Sequence, residues 1–190
     1  RRRHPYIELT IFANRTFTLA SFCAGLRMSL MTSISFLIPL YVSDIHASPA
    51  SVIGIILALQ AGALFLTSRA GGQLADRWGS RIPVAVSMTG LIGIMLILGA
   101  LPVSAPIWLI ILAAMAHGLF IGLSLAPLHR SSMQGVRADD VGMAAGLYSM
   151  IRFAGQILGT AIAGVLLQWG LERFAAPIDA YQVVFWTFAG

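Results

Sequence analysis

Charge is scarce in this sequence and lysine is absent: 12 arginines and 7 acidic residues make up 10% of its 190 residues. A soluble domain carries about 25% charged residues, because its surface must stay wet. With 58% apolar residues and a mean hydropathy of +0.86, too little charge remains to cover a globule. Lipid is therefore the expected solvent for most of the chain. The single cysteine, Cys23, lies in an apolar run; it excludes an internal disulfide framework and reads as a small core residue. Enzyme motifs are missing as well: there is no H-E-x-x-H, no G-x-S-x-G and no P-loop. His4, His46, His117 and His129 fall in separate segments, which argues against a metal site. Asp139 and Asp140 read as a solvated loop. No enzymatic activity, metal or cofactor is expected. The pI of about 10.4 raises nucleic acid as a partner, but the arginines flank apolar runs instead of sharing one wettable face, which argues against it.

What the sequence has in abundance is long apolar stretches. A spanning helix needs about 20 mostly apolar residues, because the hydrocarbon core is about 30 Å thick and each residue rises about 1.5 Å. Residues 17–42, 50–72, 82–103, 107–128 and 143–168 meet that length, and 181–190 begin a sixth span. The expected fold is thus an all-α membrane bundle of five complete helices and an incomplete one. The chain opens on Arg1 and stops within a span, so both ends read as cuts in a longer protein. Arginine accumulates on alternate connections. Arg1, Arg2, Arg3, Arg15, Arg69, Arg77, Arg81, Arg130 and Arg137 share one side, against Arg173 alone on the other. Short cytoplasmic loops retain positive charge, which places the amino end and the Arg77 and Arg137 connections in the cytoplasm. Pro39 and Pro127 sit near expected span ends, where proline bends or terminates a helix. Gly118 with Gly122, and Gly155 with Gly159, have the four-residue spacing of close helix-packing faces in lipid.

The connection after the second span reads Gly72-Gln-Leu-Ala-Asp76-Arg77-Trp-Gly79-Ser-Arg81. It resembles the signature cytoplasmic loop of the major facilitator superfamily, G-x-L-A-D-R-x-G-[RK]-[RK]. Ser80 departs from the pattern at a position that is usually basic. The segments HPYIELTIFANRTF, FLIPLYV and GMAAGLYSMIRFAGQILGTAIAG are similar to the drug:proton antiporter (multidrug efflux) branch, in which a basic residue often stands at the place of Arg152. The resemblance implies the carboxyl-terminal six-helix half of a major facilitator-type bundle. It also implies that Gly72, Asp76, Arg77, Gly79 and Arg81 form a conformational latch whose partners lie largely in the missing amino-terminal half. As residues, they suit a tight turn: Gly72 and Gly79 permit close approach and positive φ, and Asp76 suits the positive end of a neighbouring helix.

Arg27, Gln60, His117 and Arg152 fall deep inside spans, the three ionisable ones about 14–17 Å from the estimated ends. Such residues face a bundle interior or a wet cavity, since a charge at the bilayer centre costs at least about 2.5–3.5 kcal/mol. Their similar depth points to a shared central cavity on a substrate or proton pathway. No carboxylate falls inside a complete span, so a coupling acid is expected elsewhere in the protein. The resemblance implies a secondary active transporter of a bacterial plasma (inner) membrane, exporting small amphipathic molecules or drugs by alternating access with the proton gradient as energy source. One alternative is an uptake carrier for a metabolite or organic anion, which Arg27 and Arg152 would suit. Another is a non-transport membrane sensor or scaffold.

Overall fold

A computed structural model describes residues 9–190. The expectations placed on Arg1, Arg2, Arg3 and His4, and on the start of the HPYIELTIFANRTF stretch, lie outside the described residues. A short 3-10 turn, Leu9–Ala13, leads into six α-helices: α1 Arg15–His46, α2 Ala50–Trp78, α3 Arg81–Ala100, α4 Ile107–Met133, α5 Val141–Arg173 and α6 Pro177–Ala189. Five are long and apolar enough to cross a membrane. No strand occurs among the described residues.

The helices overrun the apolar spans wherever their last turns are polar. Hydropathy reports contact with lipid, whereas a helix ends where its backbone hydrogen bonds end. Pro39 and Pro127 lie inside α1 and α4, which continue to His46 and Met133. The third helix behaves differently. It stops at Ala100, because Pro102 pushes Leu101 into an extended conformation, with φ −69° and ψ 130°. Asn14 caps α1, its side-chain oxygen accepting from the amides of Thr16 and Phe17, while its side-chain nitrogen donates to the Gln134 carbonyl beyond α4. At the opposite end of α1, Ala47 takes a left-handed conformation (φ 45°) that closes the helix.

The most extensive helix pairs are α2 with α4 and α1 with α5; α4 also packs on α1 and α3, and α6 lies against α3 and α5. Hydroxyl and amide side chains tie these pairs by donating to carbonyls of neighbouring helices. Thr32 bonds the Gln156 carbonyl at 3.1 Å, Thr67 the Leu119 carbonyl at 2.9 Å and Ser87 the Phe120 carbonyl at 2.5 Å. Trp186 and Gln182 of α6 reach the Gly99 and Leu101 carbonyls at 3.1 and 3.0 Å.

Two buried apolar clusters fill the bundle. The larger includes Ile34 to Val42 of α1, Ile110 to Ala114 of α4 and Ala163 and Leu167 of α5, with residues of α2, α3 and α6. The smaller, at the arginine-rich end, joins Phe17 and Ala24 to Leu128, Ala144 and Tyr148. Between them the buried interior of α1, α2 and α4 carries polar side chains, among them Arg27, Gln60 and His117, with the half-buried Arg152 of α5 beside them. Outward, the bundle is apolar: only 17% of the spanning windows of α2 and α5 are buried, against 44% for α1 and α4. Phe65, Leu66, Ile157 and Val165 are each more than two-thirds exposed. A surface of that kind is unstable in water and natural in lipid or against further helices.

Candidate functional site

The band between the two apolar clusters holds the four polar residues singled out above, in two layers one helical turn apart on α4. In the first layer, Gln60 of α2 donates through Nε2 to Ser35 of α1 at 3.1 Å and contacts Nδ1 of His117 at 3.0 Å. His117 is fully buried and Gln60 is 7% exposed. Gln60 Oε1 has no hydrogen-bond partner. His117 Nε2 is likewise buried without a hydrogen-bond partner.

The second layer is cationic. Arg27, 1% exposed, donates from Nη1 to the Ile121 carbonyl at 3.3 Å and from Nη2 to the Met28 sulfur at 3.5 Å. Arg152 of α5 follows Ile151, whose backbone carbonyl abuts Gly25 of α1, so it lies on the same seam as Arg27, and its guanidinium lies 5.6 Å from the centre of the Tyr148 ring. Tyr148 in turn packs edge-on against His129. Nε of Arg27 and Nε of Arg152 are both buried without a partner. Ser35 and Tyr148 join the band although neither stands out in the sequence. Serine and tyrosine are common in spans, and only their neighbours reveal them. The single level expected from counting residues becomes two, because Arg27 and Ser35 stand about 12 Å apart along α1.

The glycines lie where helices cross. A β-carbon at Gly118 would overlap the Gln60 carbonyl oxygen, and one at Gly122 would overlap the Leu64 carbonyl and the Thr67 hydroxyl. Gly155 meets the backbone of Gly25 and Gly159 that of Ser29, so two faces of small residues with the same spacing meet between α1 and α5. Gly118 and Gly122 thereby set the depth at which α2 delivers Gln60 to His117.

The signature segment is mostly helical. Gly72, Asp76 and Arg77 belong to the last turns of α2, and only Gly79 and Ser80 are non-helical, Gly79 with φ +77°. The tight turn is therefore shorter than the motif. A left-handed φ is needed at Gly79 alone; at helical Gly72 a β-carbon would make only ordinary contact with Ala126, and the close approach falls instead at Gly71, where it would overlap the Leu123 carbonyl. Asp76 pairs with Arg130 at the end of α4, both side chains being exposed. The sequence pattern does not disclose that partner, because Arg130 lies 54 residues away. Arg77 and Arg81 are exposed and have no acidic partner among the described residues. At the opposite end, Tyr181 donates to Asp44 at 2.6 Å and ties α6 to α1.

Long apolar helices, an apolar exterior and a polar band walled off by apolar clusters define an integral, multi-pass membrane protein. The sequence matches the Major Facilitator Superfamily over residues 17–190, and the chain belongs to that family, whose members are transporters and not enzymes. It is 26% identical over 166 residues to an uncharacterized MFS-type transporter, YvkA, of Bacillus subtilis, covering 87% of this chain and 37% of that protein. It is 26% identical over 178 residues to the multidrug resistance protein Stp of Mycobacterium tuberculosis, covering 93% of this chain and 33% of the relative. Over 181 residues it is 22% identical to the riboflavin transporter RibZ of Clostridioides difficile, covering 94% of this chain and 40% of the relative. The chain thus spans only 33–40% of the length of these relatives.

Proposed function

We propose that this chain is the carboxyl-terminal half of a secondary transporter that exports small amphipathic molecules by alternating access, in exchange for protons, across a bacterial plasma membrane. The observation that carries the transport reading is the buried polar band. Arg27, Gln60, His117 and Arg152 come from α1, α2, α4 and α5 and lie between two apolar clusters, where an uncompensated polar group is retained only at a cost. Export of amphipathic compounds is supported by the multidrug resistance protein among its relatives. In this reading Gly72, Asp76, Arg77, Gly79 and Arg81 form a latch on the cytoplasmic side, with Arg130 holding Asp76 while Arg77 and Arg81 face the amino-terminal half. His117 relays protons, and Gln60 contacts substrate.

A second reading, uptake of a metabolite or organic anion, is favoured by the two neighbouring arginines and by the acids of the described helices. Asp44, Asp76, Glu172 and Asp179 occupy only first or last turns. Full-length protein in proteoliposomes distinguishes the readings. Export predicts that adding the amphipathic dye ethidium causes proton movement through the protein, reported by an internal pH dye. Accumulation of an organic anion without dye-driven proton movement supports uptake. Absence of any substrate-dependent flux supports a sensor or scaffold.

A further inference from the structure

Arg27 and Arg152 present a charge problem that the described residues do not solve. Arg27 is buried, and its two terminal nitrogens are spent on a backbone carbonyl and a thioether, neither of which carries negative charge. Its Nε has no partner. Arg152, on the turn of α5 that meets Gly25, has an equally unpartnered Nε, and its guanidinium lies over the Tyr148 ring. Removing one partner of a buried ion pair is strongly destabilising because the other charge is left uncompensated. Here Arg27 is buried with no acid beside it among the described residues, and the half-buried Arg152 on the adjoining turn of α5 adds a second positive charge, which raises the cost further.

Helix packing holds them there. Gly25 and Gly155 touch backbone to backbone, and Gly159 meets Ser29, so α1 and α5 cannot slide apart without losing this contact. Thr32 adds a hydrogen bond to the Gln156 carbonyl on the same seam. Both arginines therefore spring from one close helix crossing, each with an unpartnered Nε–H, and the Tyr148 ring lies against the Arg152 guanidinium. One free N–H on each of two cations matches one chemical group best, an oxyanion whose oxygens accept from both while supplying the missing negative charge.

We propose that Arg27 and Arg152 together receive the carboxylate of a transported organic anion. The proposal rests on the transporter reading above but on neither the direction of transport nor its coupling to protons. Bound substrate supplies the missing negative charge, and its departure restores the repulsion, so the α1–α5 seam alternates between a compensated and an uncompensated state. A neutral analogue of the same shape leaves both guanidiniums uncompensated.

The test is equilibrium binding to full-length protein in nanodiscs of zwitterionic lipid, with empty nanodiscs as the blank and benzoate and benzamide as probes. These share a shape and differ in charge. Benzoate is expected to bind about tenfold or more tightly than benzamide, the margin of a charge-assisted hydrogen bond. Arg152→Gln removes that preference while leaving the helical circular dichroism unchanged, and Arg152→Lys, which keeps the charge and loses the fork, retains part of it. Arg27→Gln, at the more buried position, gives the same loss where it folds. Equal binding of the two probes, or no binding of benzoate, overturns the proposal. An acid from elsewhere in the protein neutralising the pair gives that result. A preference that survives in Arg152→Gln also overturns it. Because binding is read without flux, a protein that prefers benzoate but moves nothing refutes the transport reading and leaves the anion site standing.

Discussion

Replacing Gly118 with alanine isolates the contribution of close helix approach. A β-carbon there falls on the Gln60 carbonyl, and the obstacle is backbone, which cannot rotate away. The α2–α4 pair must separate locally, and Gln60 is the residue that carries the bond to His117. Gly93, in the middle of α3, has nothing within 4 Å of the same virtual atom and serves as the control. Alanine gains about 1 kcal/mol over glycine in a helix interior at either site, so this contribution cancels between the two variants. What remains at Gly118 is overpacking, about 1–3 kcal/mol, and loss of one buried hydrogen bond, about 0.5–1.5 kcal/mol. Gly118→Ala should therefore be less stable than Gly93→Ala by about 1.5–4.5 kcal/mol. Reversible unfolding of the full-length protein in mixed detergent micelles, followed by far-ultraviolet circular dichroism, measures the difference. Equal stability of the two variants would refute the packing argument and the positioning of Gln60 that depends on it.

Further outcomes follow from other contacts. Asp76→Asn breaks an exposed ion pair, so stability should change by less than about 1 kcal/mol, while transport by the intact protein falls. Unchanged transport removes the latch, and the exchange of Asp76→Arg with Arg130→Asp should recover activity if the pair matters in itself. Tyr181→Phe deletes the bond to Asp44 and should cost about 1.5–3 kcal/mol in the same unfolding assay; an unchanged midpoint means that α6 is held by packing alone. Asn14→Ala should cost about 1 kcal/mol as the α1 cap is lost, with Asn14→Asp largely retaining it. A cysteine at Ser80, in a Cys23→Ser background, should react with impermeant maleimide only from the cytoplasmic side, and external labelling would reverse the assigned orientation.

Helix number and membrane character were legible because lipid imposes a simple code of length and apolarity. Helix ends were less so. The extension of α2 through Asp76 to Trp78 depends on backbone hydrogen bonds that polar residues satisfy as well as apolar ones, and the early stop of α3 depends on Pro102. Arg27, Gln60, His117 and Arg152 could be picked out because each is costly at membrane depth. Their division into two layers could not, because it depends on which turn of α4 each one meets. The Asp76–Arg130 pair and the Gly25–Gly155 contact were equally hidden, since one sequence gives spacing along a helix and not the rotation of one helix against another.

The hydroxyl bonds between helices have a mechanical consequence. Thr32, Thr67 and Ser87 each donate to a main-chain oxygen on a neighbouring helix, and such an oxygen, with two lone pairs, can accept this extra donor without giving up a hydrogen bond inside its own helix. These rivets are indifferent to side-chain identity on the receiving strut, so substitutions there can accumulate without loosening the frame. A bundle fastened in this way resists internal shear and favours displacement as one block, with strain relieved at the sparsely packed outer flanks of α2 and α5.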